Sequence, residues 1–75
     1  MSINEFLKTT RKNHNLSVRN LSELIQMQYG YYVSKSTLNY IEQPGKAVDA
    51  KTLFILIDFY HLDFQEVKEI ILDRN

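Results

Sequence analysis

The chain has no cysteine, a single proline (Pro44) and two glycines (Gly30 and Gly45) in 75 residues. Without cysteine there is no disulfide framework and no thiolate metal site, and nothing points to secretion. No apolar run is long enough to span a bilayer, and no signal-peptide pattern opens the chain. A cytoplasmic protein that does not enter a membrane is therefore the expectation. So little glycine and proline favours helices joined by short turns over a many-stranded sheet. At this length a single domain over residues 1–75, with one small core, is expected.

The ingredients of catalysis are equally scarce. The histidines are isolated, there is no glycine-rich phosphate loop, and no pair of carboxylates flanks a plausible cleft. Asp58 and Asp63 do flank His61, but that cluster reads as the end of one helix and the cap of the next. His14 reads as a helix C-terminal residue rather than a ligand or base. The sequence thus predicts a protein that is not an enzyme, with no cofactor, no metal and no evident small-molecule ligand.

An excess of one charge is also missing, since nine Lys and Arg balance nine Asp and Glu. The distribution is uneven, however. Residues 1–46 carry Lys8, Arg11, Lys12, Arg19, Lys35 and Lys46 against Glu5, Glu23 and Glu42, six against three, a net of +3. Residues 47–75 carry Lys51, Lys68 and Arg74 against Asp49, Asp58, Asp63, Glu66, Glu69 and Asp73, three against six, a net of −3. If the basic half forms one face, it can attract phosphate locally while the acidic half faces away. Chance segregation in a short chain is the plain alternative.

Five helical segments can be read in order. Ser2 and Glu5 fit a capping box opening a helix that runs to about His14, with Ile3, Phe6, Leu7 and Thr10 on its inner side. Ser17 caps a second helix from Val18, with Leu21, Leu24 and Ile25 at spacings of three and four, extending to Tyr29 before Gly30 stops it. Residues 29–33 are strand-like in composition but have no partner strand nearby. Ser34 caps a third, short helix ending near Glu42, with Leu38 and Ile41 on one face and Val33 packed beneath. Gln43-Pro44-Gly45-Lys46 is a loop. Asp49 caps a fourth helix, Ala50 to Tyr60. Its apolar centre, residues 53–57, would also suit a buried strand, but the Asp cap and the length of three turns favour helix. Asp63 caps a fifth helix, with Glu66 at the box position and Phe64, Val67, Ile70 and Ile71 inward. The expected class is all-α, with no internal repeat.

The third helix divides its labour unusually. Apart from Leu38 and Ile41 it offers Lys35, Ser36, Thr37, Asn39 and Tyr40, hydrogen-bonding groups where an ordinary solvated face would carry Glu and Lys. Such a set suits base edges and phosphate oxygens. The plain alternative is a surface helix that happens to be poor in charge.

Taken together, these elements resemble the lambda-repressor-like (Cro/Xre-type) helix-turn-helix family, from about Glu5 to Leu72. The carriers are Leu7 and Arg11, Leu16-Ser17, Leu21, the run Val33-Ser34-Lys35-Ser36-Thr37-Leu38, Ile41-Glu42, Gly45, Thr52-Leu53 with Leu56, and Leu62-Asp63-Phe64-Gln65-Glu66-Val67. The resemblance implies a five-helix DNA-binding domain of the phage or plasmid repressor type, reading the major groove of double-stranded DNA with the third helix. It implies base contacts from Lys35, Ser36, Thr37, Asn39 and Tyr40, and phosphate contacts from Arg19, Asn20, Ser34, Gln43 and Lys46. It also implies a structural ion pair between Arg11 and Glu42. The chain departs from the family pattern in having Val18 where a glutamine is common. It departs again in a link between the second and third helices that is longer by about six residues, an enlarged turn containing Tyr29, Gly30, Tyr31 and Tyr32.

The family usually binds as a two-fold dimer, and a homodimer is expected here through Ile55, Phe59, Ile70 and Ile71, read as apolar positions left over on the fourth and fifth helices. The alternative is that these residues fill a core enlarged by the longer link. With no sensor or autocleavage domain in view, a small phage- or plasmid-type regulator, or a domain of a longer one, is the expectation. The rival function is a protein-interaction module on the same fold, antitoxin-like or anti-repressor, that does not itself read DNA.

Overall fold

The computed structural model describes residues 1–73 and is all-α. Its helices are α1 (Ile3–Asn13), α2 (Val18–Tyr29), α3 (Lys35–Ile41), α4 (Ala50–Tyr60) and α5 (Phe64–Leu72), and no strand occurs among the described residues. The apolar centre of α4 is helical, and residues 31–34 form an extended link without a strand partner.

Each helix starts where a short polar side chain can satisfy an orphan backbone N–H. Ser2, Ser17, Ser34 and Asp49 accept from the third residue onward, and Ser2 closes a full box with Glu5. Asp63 departs from expectation. Its carboxylate accepts from the N–H of Gln65 rather than forming a box with Glu66, and the Gln65 amide donates to Glu69. Gly30 ends α2 at φ +62°, a conformation that costs a side-chain-bearing residue about 1 kcal/mol or more.

The core is made by Leu7, Leu21, Ile25, Val33, Leu38, Ile41, Leu56 and Tyr60, all buried. It thus takes side chains from α1 to α4 and from the α2–α3 link. Each fully buried Leu or Ile is worth about 1.5–3 kcal/mol relative to exposure. Val67 of α5 is also buried.

Two expectations about the outer helices need correction. Ile55 and Phe59 do not form a free face: both are half-buried and packed against the core cluster. The α2–α3 link packs on α4 as well. It lays the Tyr31 ring beside Lys51, 4.8 Å from Nζ to the ring centroid, with the phenol 3.5 Å from the Thr52 hydroxyl. That covers the flank of α4 on which Ile55 lies one turn further on. On α5, Val67 and Ile70 turn inward, but Phe64 and Ile71 are 60% and 47% exposed and do not line its inner side. The free apolar surface is carried instead by Phe54, Phe64, Ile71 and Leu72.

Candidate nucleic-acid interface

α3 lies against α2 and is buried only through Leu38 and Ile41. Lys35, Ser36, Thr37, Asn39 and Tyr40 are all exposed, so the structure brings the five expected base-contact residues onto one solvent-facing surface. No carboxylate interrupts it: the nearest in sequence, Glu42, is buried.

Three buried polar links fix the position of this helix. Arg11 of α1 grips Glu42, the C-cap of α3, with Nε and Nη2 donating to the two carboxylate oxygens at 2.8 and 2.9 Å. Its Nη1 donates to the Leu16 carbonyl at 2.8 Å, so one guanidinium ties together α1, the α1–α2 turn and α3. The hydrogen bonds to Glu42 hold the Arg11 pKa above its ordinary value, outweighing the opposing effect of burial. A buried pair of this kind contributes more to orientation than to net stability, and the single loss of either partner costs about 3–5 kcal/mol.

The second link is Asn4, 3% exposed. Its amide nitrogen donates to the Ile41 carbonyl at 2.7 Å and to the Lys46 carbonyl at 2.8 Å. It therefore clamps the end of α3 to the loop that follows. The third is Ser22 of α2, buried, whose hydroxyl donates to the Val33 carbonyl one residue before the α3 cap. Neither Asn4 nor Ser22 stood out in the sequence. A polar residue on an otherwise apolar helix face is the signal that could have found them, since a buried amide or hydroxyl must have partners.

The remaining expected contacts fall into two groups. Gln43 and Lys46 are exposed in the loop after α3, and the Lys46 ammonium sits 5.6 Å from the Tyr40 ring centroid. A polar groove beside them is lined by Lys8, Lys12, Asn39, Gln43 and Pro44, with Arg11 and Glu42 on its wall. Lys8 and Lys12, counted in the sequence among the charges of the basic half, are brought alongside α3 by the fold. At the other end, Arg19 and Asn20 are exposed at the start of α2. The Asn20 carbonyl accepts from the Ser17 hydroxyl at 2.8 Å, which leaves its amide N–H groups to donate elsewhere. Ser34 is committed differently: its oxygen accepts from the Thr37 N–H at 3.1 Å and its proton goes to Thr37 Oγ1 at 3.0 Å. A phosphate, which only accepts, would have to redirect that proton.

The tyrosines at the end of α2 and in the link divide by role. Tyr29 donates its phenol to Asp58 of α4 at 2.6 Å, which pushes its pKa up to about 12. Tyr31 packs on α4 as described. Tyr32 is 67% exposed, two residues before the cap of α3. Behind the site, Tyr60 lies in the core against His14, ring centroids 4.9 Å apart. Burial raises its pKa, and its hydroxyl has no hydrogen-bond partner.

Among the described residues no group of three or more His, Asp or Glu side chains could hold a metal ion. No helix among them is long and apolar enough to cross a membrane. Comparisons of the chain with protein-family models, with curated proteins and with solved structures gave no match.

Proposed function

We propose that this protein is a sequence-specific DNA-binding regulator of the lambda-repressor-like helix-turn-helix type, with α2 and α3 as the motif and α3 in the major groove. The observation that carries the reading is the solvent face of α3. It offers five hydrogen-bonding side chains and no carboxylate, on a helix held by the Arg11–Glu42 pair and the Asn4 clamp. Fixed orientation is what base readout requires, because a bidentate contact tolerates little misplacement. Lys35, Ser36 and Tyr40 are assigned to bases, with Thr37 and Asn39 at the margin. Arg19, Asn20, Gln43 and Lys46, joined by Lys8 and Lys12, are assigned to phosphates on either side.

The test is binding to double-stranded DNA as a function of salt, followed by selection of a preferred site from random duplexes. Binding at low salt that weakens steeply as salt rises is the expected result. Lys35→Ala and Tyr40→Ala each relax discrimination at one or two base pairs by about 1–3 kcal/mol. Lys46→Ala weakens specific and bulk binding alike and lowers the salt slope by about one unit. Complete absence of binding at low salt sinks this reading. It would favour a protein-interaction module on the same fold, a reading supported by the exposed apolar residues of α4 and α5.

A further inference from the structure

The turn after α3 brings one lysine back onto the helix that the chain has just left. The Lys46 N–H donates to the Gln43 carbonyl at 3.2 Å, closing a four-residue turn from Gln43 to Lys46. Pro44 takes its second place and Gly45, at φ +80°, its third. Proline presets the first of these backbone angles and glycine takes the second without strain, the pattern of a type II turn. The Lys46 carbonyl accepts from the Asn4 amide at 2.8 Å, which ties the far end of the turn to α1. The side chain then reaches Tyr40, with Nζ 5.6 Å from the ring centroid. At that distance the ring quadrupole attracts a cation. Among the described residues no carboxylate pairs with the Lys46 ammonium.

We propose that Tyr40 is the positioning residue for Lys46, and that the two form one preassembled seat for a backbone phosphate of double-stranded DNA. The inference rests on the DNA reading of α3 and gives Tyr40 a second task within it. A free lysine samples many rotamers and gives up that freedom when it meets a phosphate. Here the main chain of Lys46 is fixed by the turn and by Asn4, and its ammonium is drawn to the ring. Part of the ordering therefore precedes binding. The ring covers one side of the ammonium, and the remaining N–H groups stay free to donate to phosphate oxygens. The same contact narrows what Tyr40 does with a base. The ring face turned to Lys46 is closed to stacking, which leaves the ring edge and the hydroxyl for the groove. The phosphate held by Lys46 thus sets where along the strand that hydroxyl meets a base edge.

Bulk DNA of mixed sequence isolates the phosphate contribution, which is independent of sequence. Its binding by the full chain is measured across a salt series for the wild type, Tyr40→Leu, Tyr40→Phe, Lys46→Ala and the double variant Tyr40→Leu/Lys46→Ala. Tyr40→Leu is expected to weaken bulk binding about two- to five-fold, the strength of a cation–ring contact at an exposed site. Tyr40→Phe keeps the ring face and should recover that loss, while still losing the discrimination that the hydroxyl provides. The double variant should bind bulk DNA no more weakly than Lys46→Ala alone, because a ring without its ammonium has nothing to position. In the free protein, the Hε protons of Lys46 should carry an upfield ring-current shift in the wild type and in Tyr40→Phe, and lose it in Tyr40→Leu. Helical circular dichroism should be the same throughout, since Tyr40 and Lys46 are both exposed.

A Tyr40 that only reads bases would leave bulk binding unchanged in Tyr40→Leu, and that result overturns the proposal. So do losses that add in the double variant, or Lys46 protons without a ring-current shift. A wild type that does not bind bulk DNA at low salt removes the DNA reading and this assignment together. Binding accompanied by any of the three results before it removes this assignment alone.

Discussion

Replacing Asn4 by Ala tests whether the clamp behind α3 matters as much as its geometry suggests. The amide nitrogen gives its two protons to two main-chain carbonyls, Ile41 at 2.7 Å and Lys46 at 2.8 Å, and the residue is 3% exposed. Ala removes both donors. A buried acceptor stripped of its partner costs about 1–3 kcal/mol, and water entering the vacated space recovers part of that. The expected loss is therefore about 2–4 kcal/mol in all. A 75-residue domain has only about 4–11 kcal/mol of stability to lose. At this size each kcal/mol moves Tm by about 4–8 °C, so Asn4→Ala should melt roughly 10–30 °C lower. Helical circular dichroism in a thermal and a urea series measures it. Asn13→Ala, at an exposed position on the same helix, serves as control and should stay within about 0.5 kcal/mol. If the two variants melt together, Asn4 is not a clamp, and the fixed orientation claimed for α3 loses one of its three supports.

Acid should destabilise the fold through its caps. The Thr52 backbone N–H, then the Thr52 hydroxyl, holds the Asp49 carboxyl below its ordinary value, and the Ser2 N–H and hydroxyl do the same for Glu5. A depressed folded pKa means stability that is present above the unfolded value and lost as pH falls through the folded one. Tm should therefore drop from about pH 4 downward, and less steeply in Asp49→Asn, which keeps the cap without the titration. Alkali acts through Tyr29, whose phenol titrates near 12 when folded. Its contribution is intact below the unfolded value of about 10 and is lost between there and 12, so Tyr29→Phe should flatten the alkaline fall in Tm. Tyrosinate absorbance should show Tyr29 and the buried Tyr60 ionising above the ordinary tyrosine value of about 10. Tyr32→Ala should leave stability within about 0.5 kcal/mol but weaken DNA binding, because the exposed ring flanks the start of α3. Unchanged affinity would remove the link from the proposed interface.

Helix existence and helix ends were legible because both rest on local chemistry. Ser2, Ser17, Ser34, Asp49 and Gly30 act within a residue or two of themselves, so the sequence alone locates their effect. The ion pair of Arg11 with Glu42 spans 31 positions and was reached only through resemblance. Asn4 and Ser22 were not reached at all. Their partners are main-chain carbonyls at Ile41, Lys46 and Val33, and a carbonyl carries no residue-specific mark in a sequence. The same holds for Lys8 and Lys12, whose position beside Asn39 and Gln43 follows from how α1 meets the end of α3.

The free face of α4 shows most clearly what periodicity leaves undecided. Residues 53–57 are apolar all round, so an i, i+3, i+4 count finds a buried stripe wherever it is started. Which stripe is buried depends on what lies against the helix, and here that is the α2–α3 link. Tyr29 bonds Asp58 and Tyr31 covers Lys51 and Thr52, so the link occupies one flank of α4 while the core takes Leu56, Ile57 and Tyr60. The sector left over carries Phe54, not Ile55 or Phe59. The link thus has two consequences from one packing event. It presents Tyr32 beside α3, and it takes up the flank of α4 next to the exposed Phe54. Shortening the link should therefore lower Tm, by removing the Tyr29–Asp58 bond and the Tyr31 contacts, as well as DNA affinity, whereas Tyr32→Ala should alter only the affinity.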